Sequence, residues 1–196
     1  MSAQISAVVL AAGMGARMGA VKPLLPLAGK TLLEQVLDTL RVSDVREIVV
    51  VLGFAADEIR ARVPLHSVKT VLNDGYREGM ASSLRTGISA IDPASEAALI
   101  VLADQPFVQP GTIGRLIAEH RARHPLIAVP IYDGNRGNPV LINRSLFHEM
   151  LQLSGDTGCR SLFAAHADEI VKVPVDDPGI LIDLDTKEDL DSGGER

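Results

Sequence analysis

The segment Leu10-Ala-Ala-Gly-Met-Gly-Ala-Arg-Met-Gly-Ala-Val-Lys22 sets glycines at 13, 15 and 19 among two cations, Arg17 and Lys22, straight after the branched apolar run Ile5 to Leu10. Glycine lets a chain turn through positive φ and crowds successive N–H groups against an anion. Arg and Lys add full charges where amide dipoles alone are weak. The chemistry written here is phosphate binding at the exit of a strand. Two other phosphate loops do not fit. No Gly-x-x-x-x-Gly-Lys-Ser/Thr string occurs, and a Gly-x-Gly-x-x-Gly fingerprint would place its third glycine on Met18. Pro23 and Pro26 are expected to hold Lys22 to Leu27 extended. The first helix is then expected at the capping box Thr31-Leu-Leu-Glu34, with Leu33, Val36, Leu37 and Leu40 on one face. A loop of about twenty residues, well beyond the usual two to six, is long enough to wrap a ligand.

Carboxylates form the second candidate set. Asp104 ends the apolar run Ala98-Leu-Ile-Val-Leu-Ala103, while Asp183 and Asp185 end Ile180-Leu-Ile182. A carboxylate at the end of a buried strand is costly unless paired, capped or metal-bound. Facing a phosphate loop, such groups suit Mg²⁺, which takes one or two carboxylates plus substrate phosphates. Side-chain alternation lets one of Asp183 and Asp185 point at the metal, and capping at Pro106 or at Thr186-Lys-Glu-Asp-Leu190 is the plainer role for these residues.

These groups need elements to position them. Expected strands after the first are Ile48 to Leu52, Thr70 to Leu72, Ala98 to Ala103, Ile127 to Val129, Val140 to Ile142, Ile170 to Val175 and Ile180 to Leu184. Helices are expected from Ala55 to Val63, Ala81 to Ile91 and Thr112 to Arg123, with short ones near 145–152 and 158–166. Val140 to Ile142 is expected to pair back across the turn Tyr132-Asp-Gly-Asn135. Such alternation implies a single-domain, Rossmann-like three-layer α/β sandwich over residues 1–190, mostly parallel with a small antiparallel element, and a frayed tail at 191–196. In such sheets ligands sit beyond the carboxyl ends of the strands.

Composition narrows the function. A net charge of −6 argues against a nucleic-acid surface, and 3% aromatics with no Trp against base-stacking platforms. Apolar runs such as Ile48 to Leu52 are too short to span a bilayer, so no membrane role is expected. The start Met-Ser-Ala-Gln has no signal-like core, and the lone Cys159 excludes an internal disulfide. A cytoplasmic monomer is the expectation. Cys159 reads as a packing residue. His120 and His124 stand four apart but lack a carboxylate partner for zinc.

The chain resembles the molybdenum cofactor cytidylyltransferases within the MobA-like nucleotidyltransferases. The matching strings are Leu10 to Gly19 with Lys22, Gly79-Met-Ala-Ser-Ser-Leu-Arg85, Leu102-Ala-Asp-Gln-Pro106, Arg136-Gly-Asn-Pro-Val140, Gly155-Asp-Thr-Gly158 and Asp183-Leu-Asp-Thr186. The resemblance implies a nucleotide-diphospho-sugar transferase-like fold. It also implies transfer of a nucleotidyl group from an NTP to a phosphorylated acceptor, with release of pyrophosphate. For this subgroup the acceptor is the molybdenum-loaded pterin. GTP-using relatives tend to carry Leu-Ala-Gly-Gly, whereas Ala11-Ala12-Gly13 here favours CTP. Asn138 and Lys187 depart from the His and Pro of many members.

In that scheme Leu10, Ala11, Ala12, Gly13, Gly15, Arg17 and Lys22 bind the nucleotide, and Asn73, Ser82 and Ser83 read its base or ribose. Arg17, Lys22 and Asp104 are catalytic, and Asp104 with Asp185 holds Mg²⁺. Gln105, Arg136, Asn138, Asp156 and Arg160 face a molybdopterin-type acceptor, although Gln105 could instead shape its own loop. Helix capping is the alternative for a serine of the pair and for Asp156. A molybdoenzyme would receive the product. Rival readings are a transferase using GTP or a sugar or polyol phosphate, and a nucleotide sensor without turnover. The presence of Arg17, Lys22, Asp104 and Asp185 together argues against the sensor.

Overall fold

The computed structural model describes residues 4–13 and 20–184. Its elements in chain order are β1 (Ile5–Ala11), β2 (Pro26–Leu27), β3 (Lys30–Thr31), α1 (Leu32–Arg41), β4 (Glu47–Leu52), α2 (Ala56–Arg62), β5 (Lys69–Leu72) and α3 (Met80–Ala90). There follow β6 (Ala97–Leu102), α4 (Pro110–Arg123), β7 (Ile127–Tyr132), β8 (Asn135–Arg136), β9 (Val140–Asn143), α5 (Phe147–Met150), α6 (Arg160–Ala165) and β10 (Ile170–Pro174). Among the described residues the main sheet runs β10-β7-β9-β6-β1-β4-β5, with β8 folded back on β7. β1 pairs in parallel with β4 and β6, while β9 is antiparallel to both β6 and β7.

Alternation along β1 builds the layers. Ile5, Ala7, Val9 and Ala11 face the helices α1, α2 and α4 through Leu33, Leu37, Ile59, Ile113 and Leu116. Val8 faces the other way, toward Leu84 and Ile88 of α3, Met150 of α5 and Leu162 of α6. Both faces are covered, which is why the central strands read as continuous apolar runs. The capping box starts α1 as expected, with Glu34 N–H donating to Thr31 Oγ1 at 3.2 Å and Thr31 N–H to Glu34 Oε2 at 2.7 Å. No helix among the described residues is long and apolar enough to cross a membrane.

Two expectations need correction. Lys22–Leu24 is a 3-10 turn rather than extended chain, closed by Leu25 N–H on Lys22 O at 3.1 Å. Proline's fixed φ suits the first turn of a helix as well as an extended segment, and the hairpin of β2 and β3 follows. Val140–Asn143 pairs back across the 132–135 turn as expected, antiparallel to β7 with Ile142 opposite Ile127. That turn closes β7 on β8, and β9 inserts between β7 and β6. The expected strand over 180–184, however, is absent. Pro178–Leu181 forms a 3-10 turn headed by Asp177, whose Oδ1 accepts from Gly179 N–H at 2.9 Å. The other carboxylate oxygen of Asp177 holds Gln109 N–H at 2.9 Å and Thr112 Oγ1 at 2.6 Å. Backbone groups here bond to loops, Ile180 O with Asn138 N–H and Leu184 N–H with Asp104 O, both at 3.1 Å.

Gly87 lets α3 lie close on the sheet. A Cβ there would fall 2.3 Å from Val8 Cγ1 and 3.1 Å from Val51 Cγ2. Helix propensity alone favours alanine by about 1 kcal/mol. Overpacking costs about 1–3 kcal/mol, so Gly87→Ala should lower the urea midpoint without changing its slope.

His120 sits fully buried near the end of α4, edge-on to His124 with ring centroids 5.5 Å apart. Neither of its ring nitrogens has a hydrogen-bond partner among the described residues. Burial, followed by the neighbouring His124, holds its pKa below the usual histidine value. The unfolded chain therefore binds a proton that the folded one resists. Stability is kept above about pH 6.5 and lost as pH falls through the lowered value. Half-buried His166, raised by its hydrogen bond to Glu149, works in the opposite direction. His120→Met should flatten the fall of Tm between pH 7 and pH 5 as measured by calorimetry.

Candidate active site

The carboxyl ends of β1 and β6, with the loop after β5 and the segments around 136–140 and 156–160, enclose adjoining cavities. The larger, about 520 Å³, is bordered by Ala12, Gly13, Tyr76, Glu78, Gly79 and Ser83. The smaller, about 370 Å³, is bordered by Arg136, Asn138, Cys159, Arg160, Phe163 and Asp183. Leu10, Met80, Leu102, Asp104 and Asp156 border both. A third space of about 80 Å³ lies between Gly13, Lys22 and Asp104.

Asp104 is thus the junction. It follows the last residue pairs of β6, and Lys22 Nζ donates to its Oδ2 at 2.6 Å. The two side chains are only 27% and 14% exposed, respectively. Lys22 is aimed by its turn, in which Pro23 and Leu24 are buried and Leu24 joins the core. Ala12 is hemmed in by Gly53, where a Cβ would lie 2.9 Å from Ala12 Cβ and 2.8 Å from Tyr76 Cβ. A short side chain at position 12 and none at 53 keep the cavity floor open.

The expected base-reading trio is a buried network. Asn73 Nδ2 donates to Ser82 Oγ at 2.9 Å and to Ser83 Oγ at 3.0 Å, and Ser82 Oγ passes its hydrogen to Gly79 O at 2.8 Å. Of the three, Ser83 borders the larger cavity. The helix begins at Met80, so neither serine is its N-cap.

On the smaller cavity, Arg136 Cζ lies over the Phe163 ring, 4.2 Å from its centroid, which holds a cation beside an aromatic face. Gly137 must be glycine, since a Cβ would meet Ile180 O at 2.3 Å. Arg160 and Asn138 border the same space. Gln105 is buried and borders neither large cavity. Its Nε2 donates to Asp183 Oδ1 at 2.7 Å. It thereby fixes the 182–184 loop, which brings Asp183 to the cleft without a strand. Asp156 caps α3, accepting from Met80 N–H at 2.9 Å, rather than its own helix. Burial pushes the Cys159 thiol up to about 12, which leaves it a packing group at neutral pH. Gly15, Arg17 and Asp185 lie outside the described residues.

Sequence reasoning missed Tyr76, Glu78, Met80 and Phe163 as lining residues. Gly79 and Met80 stood in a matching string, but nothing in the local pattern marked Phe163. For a divalent cation, Asp104 and Asp183 offer hard oxygen donors on one cavity, the donor type Mg²⁺ takes alongside phosphate oxygens. No cluster of three or more metal-ligating side chains stands among the described residues.

A mostly parallel sheet, a glycine-rich sequence following its first strand and a Lys–Asp pair between two cavities define an α/β enzyme that handles nucleotides. The MobA-like NTP transferase domain matches residues 7–170, and the chain belongs to that family of nucleotidyltransferases. Nicotine blue oxidoreductase of Paenarthrobacter nicotinovorans is 33% identical over 193 residues, 95% of this chain and 94% of that one. The crystal structure of Rv0371c from Mycobacterium tuberculosis in complex with manganese is similar at TM-score 0.86 and 31% identity, covering 100% of both chains. A nucleotidyl transferase from Methanothermobacter is similar at TM-score 0.80 and 26% identity, over 95% of this chain and 94% of that one.

Removing the Asn73 amide takes a donor from two hydroxyls on residues that are each under a tenth exposed, although Ser82 keeps its bond to Gly79 O. Asn73→Ala should cost about 1–3 kcal/mol in urea unfolding. Adding Ser82→Ala and Ser83→Ala should recover part of that loss.

Proposed function

We propose that this enzyme transfers CMP from CTP to the phosphate of a molybdopterin acceptor and releases pyrophosphate. The observation that carries the reading is Asp104, paired with Lys22 at 2.6 Å where the cavity beside the phosphate loop meets the one bordered by Arg136 and Arg160. A reaction between two phosphates needs positioning and charge neutralisation more than proton transfer. An oxygen of the acceptor phosphate attacks the α-phosphorus in line. A new P–O bond forms as the bond to the bridging oxygen breaks, and its electron pair leaves with pyrophosphate. The attacking phosphate is already anionic at neutral pH, so no general base is required.

Amides from Gly13 to Gly19 hold the β- and γ-phosphates, and Arg17 neutralises charge on the leaving group. Lys22 swings between Asp104 and the oxygens of the α-phosphate and the incoming phosphate. Asp104 and Asp185 are the residues that would hold Mg²⁺, which when bound neutralises charge on the α-phosphate. Manganese in the Rv0371c structure supports a divalent ion in this fold. Ser83 and the amides near Ala12 meet the nucleoside, and Ala12 in place of a second glycine supports CTP over GTP. Arg136, Asn138 and Arg160 face the acceptor. The partner this reading implies is a cytoplasmic molybdoenzyme that receives the product.

The near full-length match to nicotine blue oxidoreductase supports a second reading, an oxidoreductase built on the same cleft. It predicts redox turnover of nicotine blue and no need for a nucleoside triphosphate. The deciding assay follows pyrophosphate with Mg²⁺ and molybdopterin, comparing CTP, GTP, ATP and UTP. Turnover with CTP should fall by roughly 10²-fold or more in Asp104→Ala and in Lys22→Met. Turnover with GTP alone would keep the mechanism and overturn the reading of Ala12. CTP binding without pyrophosphate release would point to another acceptor or to a sensor.

A further inference from the structure

Helix α3 starts without a cap of its own. Gly79 occupies its N-cap position and offers no side chain. The first amide of the helix, Met80 N–H, instead donates to Asp156 Oδ1, 76 residues away in sequence. Ala81 N–H donates to Gly155 O at 3.1 Å, and Arg85 reaches Leu153 O at 2.5 Å. The two backbones are in close contact, because a Cβ on Gly79 would fall 2.7 Å from Gly155 C. Gly79 and Gly155 both have positive φ, 100° and 71°. Met80 Sδ closes over Gly158, 2.8 Å from where a Cβ would stand.

The first turns of α3 are also the partition of the cleft. Ser83 borders the larger cavity and Leu84 the smaller, while Met80 and Asp156 border both. We propose that Asp156 is a positioning residue that couples the two cavities. Its carboxylate caps α3 from the far loop, so the wall of the larger cavity is complete only when the 155–158 loop is seated. This replaces the direct acceptor contact expected from the sequence. What the cavities hold rests on the nucleotidyl-transfer reading above, but the clasp itself does not.

The chemistry separates this role from a contact with substrate or metal. A cap needs an acceptor oxygen, which asparagine retains. A contact that works by charge is lost in asparagine and alanine alike. Asp156→Ala should weaken MgCTP binding about tenfold, within the upper half of the range expected for losing a helix cap. It should raise KM for molybdopterin by a similar factor and speed hydrogen exchange at the Met80 and Ala81 amides. Asp156→Asn should recover the larger part of all three effects. A rise confined to the molybdopterin KM, with asparagine no better than alanine, would make Asp156 an acceptor contact and overturn the proposal. Unchanged exchange at 80–81 in Asp156→Ala would overturn it as well. If the unaltered protein binds no CTP, the nucleotidyl reading fails, while exchange still decides the clasp.

Discussion

The parallel ladder that sets β1 between β4 and β6 is the constraint on which the cleft depends. Ala7 pairs with Ile48 on one side and Leu99 on the other, and the strand is buried on both faces. Because the three strands run the same way, their carboxyl ends release chain at one edge. The ladder continues past the strands, with Ala103 N–H on Leu10 O at 3.3 Å and Phe54 N–H on Ala12 O at 3.1 Å. Residues just after the strands therefore inherit the precision of the sheet. Asp104 and Gly13 belong to this set, and rigid elements hold reacting groups more accurately than free loops do.

The reversed strand β9 supplies the other half. Val140 pairs with Ile100 of β6 in antiparallel register. The chain entering β9 must consequently come from the same edge at which β6 ends, and Arg136, Gly137 and Asn138 stand there. A strand running the other way would have carried them to the opposite side of the molecule. The 137–138 segment is further tied by Asn138 N–H to Ile180 O, while Gln105 ties Asp183. Loops that look independent along the chain are cross-braced around Asp104.

Charge in the cleft is local. The chain carries a net charge of −6, yet Lys22, Arg136 and Arg160 all reach the cavities. The Lys22–Asp104 pair is partly shielded from water, and such a pair adds little to stability unless its geometry is good. Its consequence is placement, with a cation and a carboxylate meeting at the border between two binding spaces.

Layered architecture and the start of α1 were legible in the sequence because each rests on local rules. Alternating apolar runs and a capping box act over a few residues. Local rules also misled, at Lys22–Leu24 and at 180–184, where a proline compatible with two conformations took the turn that buried its neighbours. Asp183 was a strand-end candidate from its apolar run, but a loop brings it to the cleft, held by Gln105. The sequence by itself determined which chemical groups the protein owns and the edge of the sheet that bears them. Only the tertiary structure decided which of them meet: Asn73 with the serine pair, Phe163 beneath Arg136, Asp156 on the first turn of α3. Those contacts join residues far apart in the chain, and no local pattern records a partner chosen by the packing of two layers on a sheet.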